Sequence, residues 1–327
     1  MSPALAVPLF IVSLAVTLGA ARLFARRLDR LGVRFGFPEA LIGLLTAIAA
    51  DGPEISSALF ALIKGAHDVG VGVLVGSNGF NLAAMIGVSA LLTGCVRLAR
   101  ETLLLEGAVG LIITLLASAL LLGWLSPAGA TILGAVTLIP YVAIVVAGSR
   151  FRSRHLKRLA TALHEHAATE REPDIYPNPT HHLLGLIVVD VALIVAGSAG
   201  MVQAALSLGD DWHISGAVLG FLILAPLTSL PNALTAVRLG LAGRGAALVG
   251  ETFNSNTINL AFGVIVPSLF VTFAAITTLG KLQLAWLMAA TLATLAALAR
   301  PGGIRRAGAA VLIGLYFAFV VGTLVGA

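Results

Sequence analysis

Ala50-Asp51-Gly52-Pro53-Glu54 lies in the middle of a long apolar stretch, and 178 residues further on a second such stretch reads Thr228-Ser229-Leu230-Pro231-Asn232. The same offset aligns Pro53 with Pro231, Ala58 with Ala236, Gly65 with Gly243 and Gly72 with Gly250, without a gap. It continues through Ser77/Ser255, Asn78/Asn256, Asn81/Asn259, Leu82/Leu260 and Ala83/Ala261. Matches held at one offset, several of them polar yet set inside apolar runs, mark a duplicated half rather than shared composition.

Outside the two motifs the chain is overwhelmingly apolar. Of its 327 residues 58% are hydrophobic and only 11% charged, and the mean hydropathy is +1.01. A water-soluble globule cannot hide that much apolar surface, so lipid is the expected solvent. The runs are continuous, which excludes the alternating pattern of a porin-like barrel. The net charge of +5 does not point to nucleic acid, because the basic residues sit in short loops between apolar runs. One cysteine, Cys95, excludes an intrachain disulfide and a multi-cysteine metal site.

Apolar runs near 3–23, 37–63, 69–95, 103–123, 129–148, 183–206, 213–238, 246–272, 280–299 and 307–326 are each long enough to span. The expected fold is therefore all-α, about ten transmembrane helices in two sets of five. Runs two, three, seven and eight carry Pro, Gly, Ser and Asn in their middles and are candidates for tilted or broken helices. The run at 3–21 lacks a basic leader and is followed by Arg22, Arg26 and Arg27, so it reads as a retained helix. An odd number of helices per half makes the second half enter from the opposite face, an inverted repeat.

Counting from this assignment, eighteen of the 20 Lys and Arg fall on one side, with only Lys64 and Lys281 opposite. The positive-inside rule places that basic face in the cytoplasm, of a cell inner membrane, with both termini outside. The domain reading is a first repeat over 1–148, a cytoplasmic linker over 149–182 and a second repeat over 183–327. The linker histidines (His155, His164, His166, His181, His182) show no repeated ligand spacing and read as part of a solvated loop.

The candidate site follows from the motifs. Asp51 and Glu54 are three apart and can share a helix face around Pro53, which withholds a backbone donor and leaves carbonyl oxygen exposed. Two carboxylates at mid-bilayer need a cation, a proton or a polar cavity, and every Lys and Arg is expected near a helix end. Ser77 and Asn81, like Ser255 and Asn259, are four apart and stack on one face, offering neutral oxygens. Hard cations such as calcium or sodium suit this mixture of carboxylate, amide, hydroxyl and carbonyl oxygen. Gly70, Gly72 and Gly76 follow no strand and read as close helix packing, not a nucleotide loop.

The paired motifs resemble the two alpha-repeats of the sodium/calcium exchanger family within the calcium/cation antiporters, whose pattern reads Gly-Thr-Ser-Leu-Pro-Glu followed by Gly-Ser-Asn-x-x-Asn or Asp. The resemblance is close over about forty residues in each half. It implies two inverted sets of five helices, alternating access by sliding of the first and sixth helices, and calcium and sodium competing for overlapping sites. Carried over by position, Glu54, Ser77, Asn81, Thr228, Ser229 and Ser255 match family ligand positions. Asn232 stands where the second repeat normally supplies glutamate, and Asn259 where aspartate is frequent. Ala50 and Asp51 replace a Thr-Ser pair, so both acids lie on one side of the pseudo-twofold axis. Asp51, Glu54 and Glu251, which lies four residues before Ser255, are candidates to restore the charge absent at Asn232; the competing reading of Glu251 is a solvated residue near the end of its helix. Asp190 is a further intramembrane acid, a secondary candidate for proton or gating chemistry.

The expected function is sodium-driven export of a divalent cation by antiport, with Glu54 the central ligand, no covalent catalysis and no organic cofactor. The transported ions are calcium and sodium, the surroundings the lipid bilayer. Two alternatives stay open: a proton-coupled or other-cation exchanger of the same fold, and a non-transporting scaffold or sensor.

Overall fold

The computed structural model describes residues 1–35, 37, 39–98, 100–147 and 179–326. Most of the expected linker, with His155, His164 and His166, lies outside them. Ten helical segments follow one another: α1 Pro3–Arg34, α2 in two pieces Glu39–Ala50 and Gly52–Ile63, α3 His67–Thr93, α4 Arg100–Leu121 and α5 Pro127–Ala147. The second set is α6 Thr180–Trp212, α7 Gly216–Leu241, α8 Gly245–Leu260, α9 Thr278–Leu298 and α10 Arg306–Gly326. Eight of these are long and apolar enough to cross a membrane singly, and the two pieces of α2 form a ninth crossing bent by 50°. The remaining one, α8, continues as a π-helix over Ala261–Ile265. The two together rise about 30 Å, a bilayer thickness, although Glu251 and three asparagines make this the most polar segment.

The 178-residue offset governs the whole architecture. Shifted by it, α4 falls on 278–299, against Thr278–Leu298 for α9, and α1 falls on 181–212, against Thr180–Trp212 for α6. Two copies of one five-helix unit, inserted in opposite senses, build the protein. Near the axis lies α3, whose apolar stretch is 89% buried, against 28% for α1 and for α6. Burial on all sides explains why α3 is rich in glycine. A Cβ on Gly76 would lie 2.8 Å from the Phe221 carbonyl oxygen and 2.7 Å from the Ala225 methyl of α7, so the two backbones touch there. The helix-packing reading of Gly72 and Gly76 holds.

Two expectations are corrected. The first helix runs on past residue 23 to Arg34, so Arg22, Arg26, Arg27, Arg30 and Arg34 lie on it instead of in a loop. Long aliphatic stems let arginine remain in a helix while its head reaches a polar environment. The second concerns α7, which is not broken at Pro231. A π-helical stretch, Leu219–Leu224, precedes the prolines, and the Thr228 hydroxyl donates to the Leu224 and Ala225 carbonyls, at 3.0 and 3.1 Å. Together they accommodate backbone groups that proline leaves unpaired.

Below the helices a short antiparallel pair, β1 (Cys95–Val96) with β2 (Ile304–Arg305), ties the α3–α4 connection to the α9–α10 connection. Arg97, Arg100, Arg244, Arg300 and Arg306 share this end of the molecule with it, termed the basic face below.

Candidate functional site

The site grows from the break in α2. Asp51 sits at the junction with φ −82° and ψ 0°, in the bridge between helical and extended backbone, and Pro53 brings no N–H to the Ala49 carbonyl. The break turns both acidic side chains inward, and Asp51 and Glu54 are completely buried.

Across the axis the other repeat answers Asp51 with hydrogen-bond donors. Its Oδ1 accepts from the Asn232 amide at 2.8 Å and from the Ser255 hydroxyl at 2.6 Å. Ser255 in turn accepts from the Asn81 amide at 3.2 Å. One chain of contacts thus joins α2, α7, α8 and α3, holding four of the sequence candidates together. Asn259 joins through Asn78, its amide 3.4 Å from the Asn78 side-chain oxygen.

Glu54 is different. Neither carboxylate oxygen has a hydrogen-bond partner among the described residues. It interacts electrostatically with Asp51, and Ser229 of the opposite repeat is near it. Among the motif residues, buried oxygens without partners also belong to Ser77, Ser229, Asn81 and Asn259, besides the second oxygen of Asp51, and the orphaned atoms of this set are all oxygens. Burying that many polar atoms unpaired costs on the order of 1–3 kcal/mol each, so a bound cation is the natural complement. Among the described residues no three His, Cys, Asp or Glu side chains gather to hold a metal ion. A cation here must therefore draw on two carboxylates and neutral oxygens.

Thr228 is buried but its hydroxyl proton is spent on its own helix; its oxygen lone pairs remain. Glu251 is only partly buried and lies between two charges, interacting electrostatically with Asp51 and with Arg244. It stands at the edge of the site, toward the basic face.

Two residues packed into the candidate site escaped the sequence reading of it. Asn78 and Asn256 clasp each other across the axis, each side-chain amide donating to the other's backbone carbonyl, at 3.0 and 3.1 Å. Asn81 likewise reaches the Asn256 side-chain oxygen at 3.0 Å, the mirror of Asn259 on Asn78. Their place in the aligned repeat was the available signal.

Asp190 also acquires a partner that the sequence did not supply: the Arg27 guanidinium of α1 at 2.5 Å, which also donates to the Leu186 carbonyl at 3.2 Å. The expectation that every Lys and Arg lies near a helix end is corrected for Arg27, because α1 extends to Arg34 and places Arg27 two turns inside it, against Asp190. The pair locks α1 to α6, two helices packed together along their length. Its symmetry counterpart across the offset of 178 is Val12 for Asp190 and Ala205 for Arg27. Arg27→Ala is expected to strand a buried carboxylate and to destabilise toward the lower end of about 3–5 kcal/mol, since the arginine is partly exposed. Asp190→Val added to Arg27→Ala should recover most of that loss, as read by thermal unfolding in detergent.

Three comparisons bear on this geometry. The family model described as "Sodium/calcium exchanger protein" matches residues 5–149 and 182–325. CaxA of Alkalimonas amylolytica, a protein assigned to the antiporters, is 29% identical over 304 residues, 90% of each chain. Two solved structures of the sodium-calcium exchanger NCX_Mj, one soaked with 10 mM Na+ and zero Ca2+ and the other with 10 mM Na+ and 10 mM Sr2+, superpose with TM-scores of 0.60 at 21% identity. In both the match covers 98% of this chain and 99% of the other.

Proposed function

Since the chain belongs to the sodium/calcium exchanger family, we propose that it is a sodium-driven antiporter that exports calcium by alternating access. The single observation that carries this reading is the buried Glu54 carboxylate, beside Asp51 and Ser229, in a protein whose motif residues Ser77, Asn81 and Asn259 also bury oxygens without hydrogen-bond partners among the described residues. Calcium takes six to eight oxygens from a mixed set, and sodium competes for the same atoms at lower charge. Glu54 is the central ligand and Asp51 the second charge. Competition for one oxygen set couples the two fluxes without any covalent step.

Alternation requires part of the protein to move against a fixed remainder. The pair α1 and α6 is suited to move, being mostly lipid-facing, and α6 reaches the α2 break through Ile194, whose side chain lies against Gly52. When cations neutralise Asp51 and Glu54, the desolvation penalty for sliding an apolar pair past them falls. The repeats at 1–148 and 183–327, joined by a cytoplasmic linker over 149–182, leave the basic face in the cytoplasm and both termini outside.

Purified protein in proteoliposomes, given labelled calcium and an imposed sodium gradient, tests the reading. Calcium uptake that follows the sodium gradient supports it. Uptake that follows only a pH gradient assigns proton coupling, and the lack of both flux and ion binding assigns a non-transporting scaffold or sensor.

A further inference from the structure

A second buried carboxylate lies outside the site just described. Glu106, on α4, is 97% buried, and its Oε2 has no hydrogen-bond partner among the described residues. It stands six residues, about 9 Å, from the start of α4 at the basic face. Its carboxylate lies flat against the α8 backbone at Gly250: a Cβ there would be 3.0 Å from each of its oxygens. Tyr141 of α5 interacts with it electrostatically, while the Tyr141 hydroxyl donates to the Asn254 side-chain oxygen of α8 at 2.6 Å. A carboxyl group is thus enclosed where α4, α5 and α8 meet.

The repeat supplies its own control. Shifted by 178, Glu106 becomes Leu284 and Tyr141 becomes Phe319, both buried, and Asn254 corresponds to Gly76. At the equivalent place in the other half the same backbone is held by apolar contacts, with the Phe319 ring tilted against Phe221 and Trp286. The fold therefore does not need a polar cluster here. What remains is a ligand for the carboxylate, and the charges around it narrow the choice. On α4 itself Arg100 and Glu101 lie in the first turn; α8 presents the Gly250 backbone to it, with Glu251 next in the chain and Arg244 at the start of that helix; α5 presents Tyr141; α9, whose only titratable group is Lys281 at the opposite end, presents none. No further carboxylate completes a metal-binding set among the described residues. A proton is the cation that a single enclosed carboxylate can hold by itself.

We propose that Glu106 is a proton-binding site between the basic face and the cation site, whose occupancy sets the strength of cation binding. The Glu106 carboxylate lies against Gly250, the chain neighbour of Glu251, which interacts electrostatically with Asp51; charge at Glu106 therefore acts on the cation site through space, from the α8 turn that carries Glu251. When Glu106 gives its proton to the solution at the basic face, the added negative charge strengthens cation binding; when it takes one up, binding weakens. The expected change is on the order of tenfold, what a unit charge acting over roughly 10 Å at an effective dielectric of about 20 produces.

The inference rests on the antiporter reading for its transport readout but has a second readout that does not. Infrared difference spectra of purified protein between acid and alkaline pH should show the C=O band of a protonated carboxyl group that disappears in Glu106→Gln. In proteoliposomes Glu106→Gln should flatten the dependence of apparent calcium affinity on pH at the basic face, leaving the component due to Asp51 and Glu54. A wild-type band pattern in Glu106→Gln overturns the proton site; loss of the band with an unchanged pH profile overturns its coupling to the cation site. If the wild type carries no calcium flux, the antiporter reading fails while the infrared result still decides the proton site. Should Glu106→Gln not fold, Glu106→Leu combined with Tyr141→Phe reproduces the apolar packing of the other repeat and serves for the same measurements.

Discussion

Replacing Glu54 by glutamine is expected to weaken calcium binding at least about 100-fold and to abolish calcium exchange. The substitution keeps the shape of the side chain and removes one negative charge from a buried position. Unit charges about 4 Å apart at an effective dielectric of about 20 interact by roughly 4 kcal/mol, and a divalent cation by about twice that; each 1.4 kcal/mol is tenfold in affinity, so even half of the divalent interaction exceeds two decades. Stability should move the other way or not at all. Glu54 is completely buried, with Ser229 beside it, so Glu54→Gln removes a buried charge while its amide oxygen can still accept from that hydroxyl. Calorimetric titration with calcium, thermal unfolding and labelled calcium uptake separate the two effects. Calcium affinity within about threefold of wild type would remove Glu54 from the centre of the site.

The second large effect is non-additive. Asp51→Ser removes a carboxylate whose Oδ1 anchors both Asn232 and Ser255, and should weaken calcium binding by about 30-fold or more. Asn232→Glu alone sets a second carboxylate against Asp51, where an amide now donates at 2.8 Å, and is expected to destabilise the ion-free protein through like-charge repulsion. Combined, the two substitutions move one acid across the axis and restore the pattern of the family's alpha-repeats. The double variant should bind calcium within about fivefold of wild type, a coupling of at least about 1 kcal/mol between the positions. Effects that simply add would show that the two repeats do not share one site.

The sequence disclosed the repeat because its polar matches survive inside apolar runs; the runs themselves gave the helix number, and five runs in each repeat gave the inversion. Asp51, Asn232 and Ser255 were legible as candidates because each sits in a motif with a counterpart. Glu106 was not, for the same reason in reverse: its counterpart is Leu284, so comparing the halves passes over it. A closer signal existed in Leu103-Leu104-Leu105-Glu106, one acid inside the apolar run at 103–123. The extent of α1 was misread because charge was taken to end a helix in lipid, whereas Arg27 ends at a carboxylate of the neighbouring helix. Ion pairs between distant segments leave no local pattern, and the bend at Asp51 could be expected at Pro53 while the continuity of α7 through Pro231 could not.

The amide clasp between Asn78 and Asn256 has a mechanical consequence. An operation that exchanges the two repeats carries each of these residues onto the other and leaves the distance between them unchanged. In a cycle whose two end states are related by that exchange, the bonds of 3.0 and 3.1 Å are the same at both ends. They need not rupture during the stroke and so add nothing to its barrier. Placed there, the two asparagines act as the bearing of the machine, with α3 and α8 as its stator.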